Sequence, residues 1–189
     1  HERGVKVYLT VNTLLRDEEL DGALRVIELA CRMPADAVLV QDLGLYALMK
    51  RCAPQLTVHA STQMSLHTPA GAALAQELGM SRVVLSREMS LAEMRAVADA
   101  CDVELEAFFH GALCMSVSGQ CYFSAVLGSR SGNRGQCAQP CRLPFAAPGG
   151  TGHDLSLKDF SFIPRVDELR RAGICSAKIE GRLKRPEYV

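Results

Sequence analysis

Four cysteines fall within residues 110–142, at the spacing Cys114-x6-Cys121-x15-Cys137-x3-Cys141. The chain has eight cysteines in 189 residues, so half of them crowd into a small part of its length. Glycine and serine surround them, and no acidic residue interrupts the stretch. Structural zinc sites pair their ligands roughly two to four residues apart, and the x6 gap fits that poorly. A disulfide frame belongs to small secreted domains rather than to a chain long enough for a core of its own. A lone nucleophile accounts for one cysteine, not four. Four thiolates on a glycine-rich loop suit an iron–sulfur cluster, whose corners each take one cysteine. Gly and Ser also let the backbone come close and donate N–H groups to the sulfides. The spacing favours the cluster and leaves a zinc clasp or unligated redox cysteines open. Cys175 is a reserve ligand, and Cys31, Cys52 and Cys101 read as small buried hydrophobes on helices.

A second set of polar residues stands at the ends of β-rich runs. Asn12 ends the first, and Gln41 and Asp42 the second. His59, Ser61 and Gln63 alternate along the third, which places them on one face. Arg87 and Glu88 close the fourth. Glu106 and His110 share a face of the fifth, and Lys178 and Glu180 a face of the last. One polar strand end usually caps the next helix. Six at the same rim describe a pocket for a small anionic or carbonyl compound.

The elements that must position these residues alternate along the chain. The strand runs are "VKVYLTVN", "DAVLVQD", "LTVHASTQM", "SRVVLSRE", "VELEAFFHG" and "CSAKIEGRL", rich in β-branched and aromatic residues. Between them lie helical runs. In "RDEELDGALRVIELACRM" Leu20, Leu24, Ile27 and Cys31 have helical spacing, with Asp17 as a cap. "LGLYALMKRCAP" stops at Pro54. "TPAGAALAQELGM" starts with Thr68 as cap and Pro69 at its first position. "MSLAEMRAVADAC" carries a Ser90–Glu93 capping box, and "IPRVDELRRAG" is the last helix. This rhythm predicts an α/β fold with a parallel sheet and right-handed crossovers. The absence of GxGxxG and of a P-loop weighs against a nucleotide-binding open sheet. The expected fold is a partial TIM (β/α)8 barrel. It would lack the first two β/α units and carry a Cys-rich insertion after the fifth strand present. Residues 1–189 would be a fragment of one such domain, with 111–154 as the insertion and its loop. The opening "HERG" reads as the end of a helix with Gly4 as its C-cap. Strand edges left open by the missing units should tend to pair with another chain.

Bulk properties narrow the function. Lys+Arg and Asp+Glu both number 21, so the net charge is zero and a globally basic nucleic-acid footprint is absent. Any RNA contact would use a local patch such as Arg130, Arg134 and Arg142, with Arg182, Lys184 and Arg185. No apolar run is long enough for a membrane span, and no secretory signal opens the chain, so a cytoplasmic location is expected.

"EAFFHGALCMSVSGQCYFS" resembles the signature segment of the collagenase-like peptidase family U32, and the likeness continues through "SGNRGQCAQPCRLPF", "LSLKDF" and "KIEGRLKRPEYV". The strand segments "KVYLTVNT", "AVLVQD", "VHASTQM" and "VVLSREMS" are similar as well, so the resemblance covers essentially the whole chain. "NRGQCAQPCRLPF" is most like the branch that contains the ribosomal-RNA cytidine hydroxylase. The resemblance implies a TIM barrel and a [4Fe–4S] cluster held by Cys114, Cys121, Cys137 and Cys141. It also implies oxygen-independent, prephenate-linked hydroxylation of a ribosomal- or transfer-RNA base. His59 and His110 would be acid/base groups, with Gln63, Glu106, Lys178 and Glu180 beside them. Asn12, Gln41, Asp42, Ser61, Arg87, Glu88, Arg134, Arg142 and Arg182 would bind substrate. The family's older story is proteolysis, for which Cys114 and His110 would be the pair. GxSxG, HExxH and a paired-aspartate frame are all missing from the sequence. A third reading is a non-catalytic partner that keeps the cluster for structure.

Overall fold

The structure, a computed structural model, describes all residues except Pro34, Ala146, Arg182 and Leu183. Its strands are β1 Tyr8–Val11, β2 Ala37–Val40, β3 Val58–Ala60, β4 Arg82–Val84, β5 Glu104–Gly111, β6 Phe160–Ser161 and β7 Ser176–Glu180. Its helices are α1 Leu20–Arg32, α2 Leu43–Cys52, α3 Pro69–Glu77, α4 Leu91–Ala98, α5 Phe123–Gly128 and α6 Val166–Arg171. The six β-rich runs all form strands, shortened at their ends, and the two-residue β6 joins them.

Pairing is parallel and sequential from β1 to β5, and β7 continues the order on β5. β6 adds an antiparallel bridge at the end of β5. An order without reversal steps the same way round at every crossover, as a barrel does. A doubly wound sheet reverses at a switch point.

Strand alternation gives the sheet two faces. Val38, Val40, Val58, Val83 and Leu105 belong to the main core with the helices. Leu39, Val84 and Phe108 form a second, smaller cluster, with Tyr8 and Phe160 packed against it. On a flat sheet β1 and β5 would stand roughly 19 Å apart, at about 4.8 Å per strand. Yet Tyr8 and Phe108 belong to one cluster, and the Arg82 guanidinium of β4 is 5.6 Å from the Tyr8 ring of β1. The sheet therefore curls into a half-barrel around a concave lumen. The outer edges of β1 and β7 have no strand partner among the described residues.

Helix starts follow the sequence where a cap is spelled out. Thr68 accepts Gly71 N behind Pro69, and Ser90 and Glu93 make a capping box. At α1 the cap differs from the expectation. A 3-10 turn, Asp17–Glu19, comes first, and Glu19 rather than Asp17 receives Arg16 N. The buried stripe of α1 is Ala23, Ile27 and Ala30, whose small residues let the helix lie close to the sheet. Cys31 therefore faces solvent, and Cys52 at the end of α2 is exposed too, so neither is the buried hydrophobe expected. Cys101 lies past α4, half-buried. "HERG" is a turn that Gly4, at φ +72°, closes onto His1 O. Among the described residues no helix is long and apolar enough to cross a membrane.

Candidate active site

Polar side chains meet at the C-terminal rim of the half-barrel. Asn12 Nδ2 donates to Ser61 Oγ at 2.9 Å, and the same hydroxyl accepts Gln63 N at 3.2 Å. Gln63 is not on β3. The strand ends at Ala60, and Thr62–Met64 form a 3-10 turn capped by Ser61. Gln41, 7 % exposed, donates to Gln63 O at 3.0 Å. The Arg87 guanidinium stands 4.2 Å over the Phe108 ring. It reaches Glu180 at 3.5 Å on one side and Cys114 Sγ at 3.7 Å on the other.

Among the described residues, five buried side-chain atoms lack a hydrogen-bond partner: Gln41 Oε1, Gln63 Oε1, Ser86 Oγ, Arg87 Nε and His110 Nδ1. All five residues lie at the C-terminal ends of β2 to β5. An unpaired buried polar atom costs about 1–3 kcal/mol. Four of them, on Gln41, Gln63, Ser86 and Arg87, lie just past β2 to β4, so the rim there holds unmet hydrogen-bonding capacity.

The cysteine segment docks on this rim. Gly111, at φ +130°, turns the chain out of β5, where a Cβ would stand 2.8 Å from Glu180 Cβ. Ser118, 1 % exposed, is held by Glu88 and accepts Arg87 N at 3.0 Å. Arg134 forks onto Glu19 with two contacts of 2.7 Å and also donates to Leu14 O. Arg142 donates to Leu113 O at 2.8 Å, to Ser156 Oγ and to Leu157 O. The other three thiols of the segment lie within electrostatic reach of Cys141. Burial pushes the Cys141 thiol up, Arg142 opposes, and Cys137, Cys114 and Cys121 each add to the rise. Gln139 N donates to Cys137 Sγ at 3.3 Å. Among the described residues no three His, Cys, Asp or Glu side chains close tightly on one point to hold a single ion. Four cysteines on one segment, with Gln139 N donating to one of the sulfurs, have the donor chemistry of a cluster, whose ligands sit at separate corners. Cys175 is not a rival ligand. Its backbone N bonds Leu105 O at the start of β5, the opposite end of the strand from Cys114.

Below the rim, the lumen holds a charge network. Glu106 receives Lys178 Nζ at 3.0 Å, Ser176 Oγ at 2.9 Å and Arg82 Nη1 at 3.2 Å. Arg82 also binds Glu104 at 2.6 Å. Burial works to raise the Glu106 pKa, but Lys178, Ser176 and Arg82 together hold it below the ordinary value. His59 is 4 % exposed and its ring meets Tyr8 edge-on at 5.0 Å. Burial, then the Arg82 charge, lowers its pKa to about 4. His59 lines a cavity of about 530 Å³ that also includes Lys6, Asp36, Ser81 and Asp102, at the N-terminal ends of the strands. It is thus remote from the rim.

Several assignments made from residue type change. Asp42 is a structural cap, spending its two oxygens on Leu45 N and Leu15 N. Glu88, Arg134 and Arg142 each have an internal partner and hold the cysteine segment. The register shift between Phe108 and His110 aligns His110 with Ile179, so it leaves the face of Glu106. His110 stacks on Tyr188, ring centroids 4.9 Å apart, while Tyr188 OH donates to Asp159 at 2.6 Å. Cys114 has Arg87, not His110, as its side-chain partner. Arg182 lies outside the described residues. Sequence reasoning missed Arg82, Ser86 and Ser118. The opposite charges of Arg82, Glu104 and Glu106 at neighbouring strand starts were the available signal for the first.

A model of peptidase family U32 matches residues 1–189. The chain is similar to the 23S rRNA 5-hydroxycytidine C2501 synthase of Escherichia coli (strain K12). The two are 41 % identical over 196 residues, covering 100 % of this chain and 30 % of that protein. It is also similar to tRNA hydroxylation protein P1 of Bacillus subtilis (strain 168). There the identity is 34 % over 199 residues, with 98 % of this chain and 47 % of that protein covered. The chain thus spans less than half the length of either relative. A solved putative dihydrodipicolinate synthetase from Pseudomonas aeruginosa matches with a TM-score of 0.50 at 15 % identity. That match covers 92 % of this chain and 55 % of the other, and it speaks for the fold alone.

Proposed function

The chain belongs to peptidase family U32, and on that premise we propose that it carries the reacting rim of an iron–sulfur-dependent hydroxylase of an RNA base. The observation that carries this reading is the docking of the four-cysteine segment, through Arg87, Glu88 and Ser118, on a rim with unpartnered buried polar atoms at Gln41, Gln63, Ser86 and Arg87. Relatives named for hydroxylation of ribosomal and transfer RNA give the substrate class.

Cys114, Cys121, Cys137 and Cys141 would hold a [4Fe–4S] cluster. When bound, such a group supplies one-electron chemistry or a Lewis-acidic iron beside the rim. The residues around it do the binding. Gln41 Nε2 is committed to Gln63 O, so Gln41 Oε1 calls for a donor, while Arg87 Nε calls for an acceptor. The edge of a pyrimidine base offers both kinds of group. Ser61, held by Asn12 and Gln63 N, fixes the loop that carries these amides. The Arg87 guanidinium stands 3.7 Å from Cys114 Sγ, and a carboxylate of prephenate as co-substrate would find a cation there.

Anaerobic purification of the full-length protein with iron and acid-labile sulfide assays tests the cluster. About four irons per chain, lost on joint Cys114→Ala and Cys137→Ala substitution, is the expected result. Mass spectrometry of ribosomal and transfer RNA from a strain lacking the gene should show one hydroxylated base gone. Zinc in place of iron, RNA left unchanged and gelatin cleaved by the purified protein would together replace this reading with the peptidase one.

A further inference from the structure

Arg142 follows Cys141, and Leu113 precedes Cys114. Across 29 residues of chain, Arg142 Nη2 donates to Leu113 O at 2.8 Å. The other arm, Nη1, donates to Ser156 Oγ at 3.2 Å and to Leu157 O. One guanidinium therefore joins both ends of the cysteine segment to the chain that returns toward β6.

We propose that Arg142 is a positioning residue that closes the ring of four thiols by holding Cys141 beside Cys114. Bringing the ends of a long loop together costs entropy, and something must offset it. The planar fork of an arginine aims donors on two separate nitrogens at two segments in fixed directions, whereas the donors of lysine share one nitrogen on a flexible stem. The other ties do different work. Glu88 fixes Ser118 and Arg134 fixes Glu19, each anchoring the segment to the barrel without joining its ends. Cys121 and Cys137 meet independently around Gly132. A Cβ there would lie 3.6 Å from Cys121 O and 3.8 Å from Cys137 Cβ. Arg142 thus serves the junction where the two ends of the segment, beside Cys114 and Cys141, come together. The inference rests on the four thiols acting as one set, and its test needs no metal.

The test is thiol cross-linking of the full-length protein, purified anaerobically and read both as isolated and after chelation. A short bifunctional maleimide is applied and the linked peptides are mapped by mass spectrometry. The parent chain should give Cys114–Cys141 and Cys121–Cys137 links. Arg142→Gln should lower the first about tenfold, the scale of losing charge-assisted hydrogen bonds, and leave the second unchanged. If both links vanish the segment has unfolded, and Arg142→Lys, which keeps the charge with one donor head, decides by the same ratio. Filter binding of bulk ribosomal RNA should keep its salt slope in Arg142→Gln. No Cys114–Cys141 link in the parent chain, or a link yield unaltered by both variants, overturns the proposal. A salt slope reduced by about one with the links intact would make Arg142 a phosphate contact instead. A protein without iron would sink the cluster reading while leaving the cross-link ratio readable.

Discussion

Glu88 grips Ser118 twice: Ser118 N donates to Oε1 at 3.1 Å and Ser118 Oγ donates to Oε2 at 2.8 Å. Glu88 lies past β4 and Ser118 lies between Cys114 and Cys121, so this pair latches the cysteine segment onto the rim. Hydrogen bonds to a charged acceptor contribute about 1.5–3 kcal/mol each. Glu88→Ala should therefore release residues 114–121 while the barrel stays folded. Hydrogen–deuterium exchange should show faster exchange in that segment and unchanged protection in β2 to β5. Equal exchange in both proteins would deny the latch.

Gly119 sits where the segment touches the barrel backbone. Its φ is +75°, and a Cβ would fall 2.2 Å from Gln63 O. No L side chain fits that conformation and that gap. Gly119→Ala should push the segment off Gln63, with a loss of about 1–3 kcal/mol. Chemical denaturation would measure the loss, and alkylation of Cys121 should quicken. A midpoint equal to that of the parent chain would show that the contact is loose.

Glu106 is the buried acceptor for Lys178, Ser176 and Arg82, and its removal strands two cations in the lumen. Breaking a buried pair at one partner costs about 3–5 kcal/mol. Lys178 keeps partial access to water and Arg82 keeps Glu104, so the low end applies to Glu106→Ala. Glu106→Gln, which keeps the shape, should lose less. Urea midpoints for the two variants would rank them, and the reverse order would rule out a charge origin.

His59 gives the protein a built-in acid sensitivity. Its pKa is about 4 when folded and near 6.5 when unfolded, so between those values protons bind the unfolded chain more. The stability it contributes is complete above pH 6.5 and falls as pH drops toward 4, by about 3 kcal/mol across the window. Arg82, Glu106, Glu104 and Lys178 are the charged groups around it. Glu104 and Glu106 both titrate below the ordinary range, so they add their own loss mainly at the bottom of the window. His59→Gln should flatten the fall of the melting temperature between pH 6.5 and 4.5. An unchanged slope would assign the acid sensitivity to other groups.

Legibility tracked the range of the interaction. The Thr68 and Ser90 caps depend on residues within one helical turn, and both formed as written. The α1 cap failed because Glu19 is also the partner of Arg134, 115 residues away. Residue type marks Asp42, Glu88, Arg134 and Arg142 as candidates to bind a substrate, and the structure gives each a partner inside the protein. Residue type tells what a side chain can bind but not which partner stands there, and each had an internal one. His110 shows the same limit on a smaller scale, since one bulge shifted its register.

By itself the sequence determined the order of strands and helices, the polar character of the strand ends and the grouping of the cysteines. These follow from periodicity and spacing, which act locally along the chain. The tertiary structure alone decided the curl that brings β1 toward β5 and separates His59 at the floor from Arg87 at the rim. It alone set which charges pair with one another and which buried polar atoms, among the described residues, are left without a partner. The physical reason is that these outcomes depend on distances between residues far apart in the chain, and only the closed packing of helices on a twisted sheet fixes them.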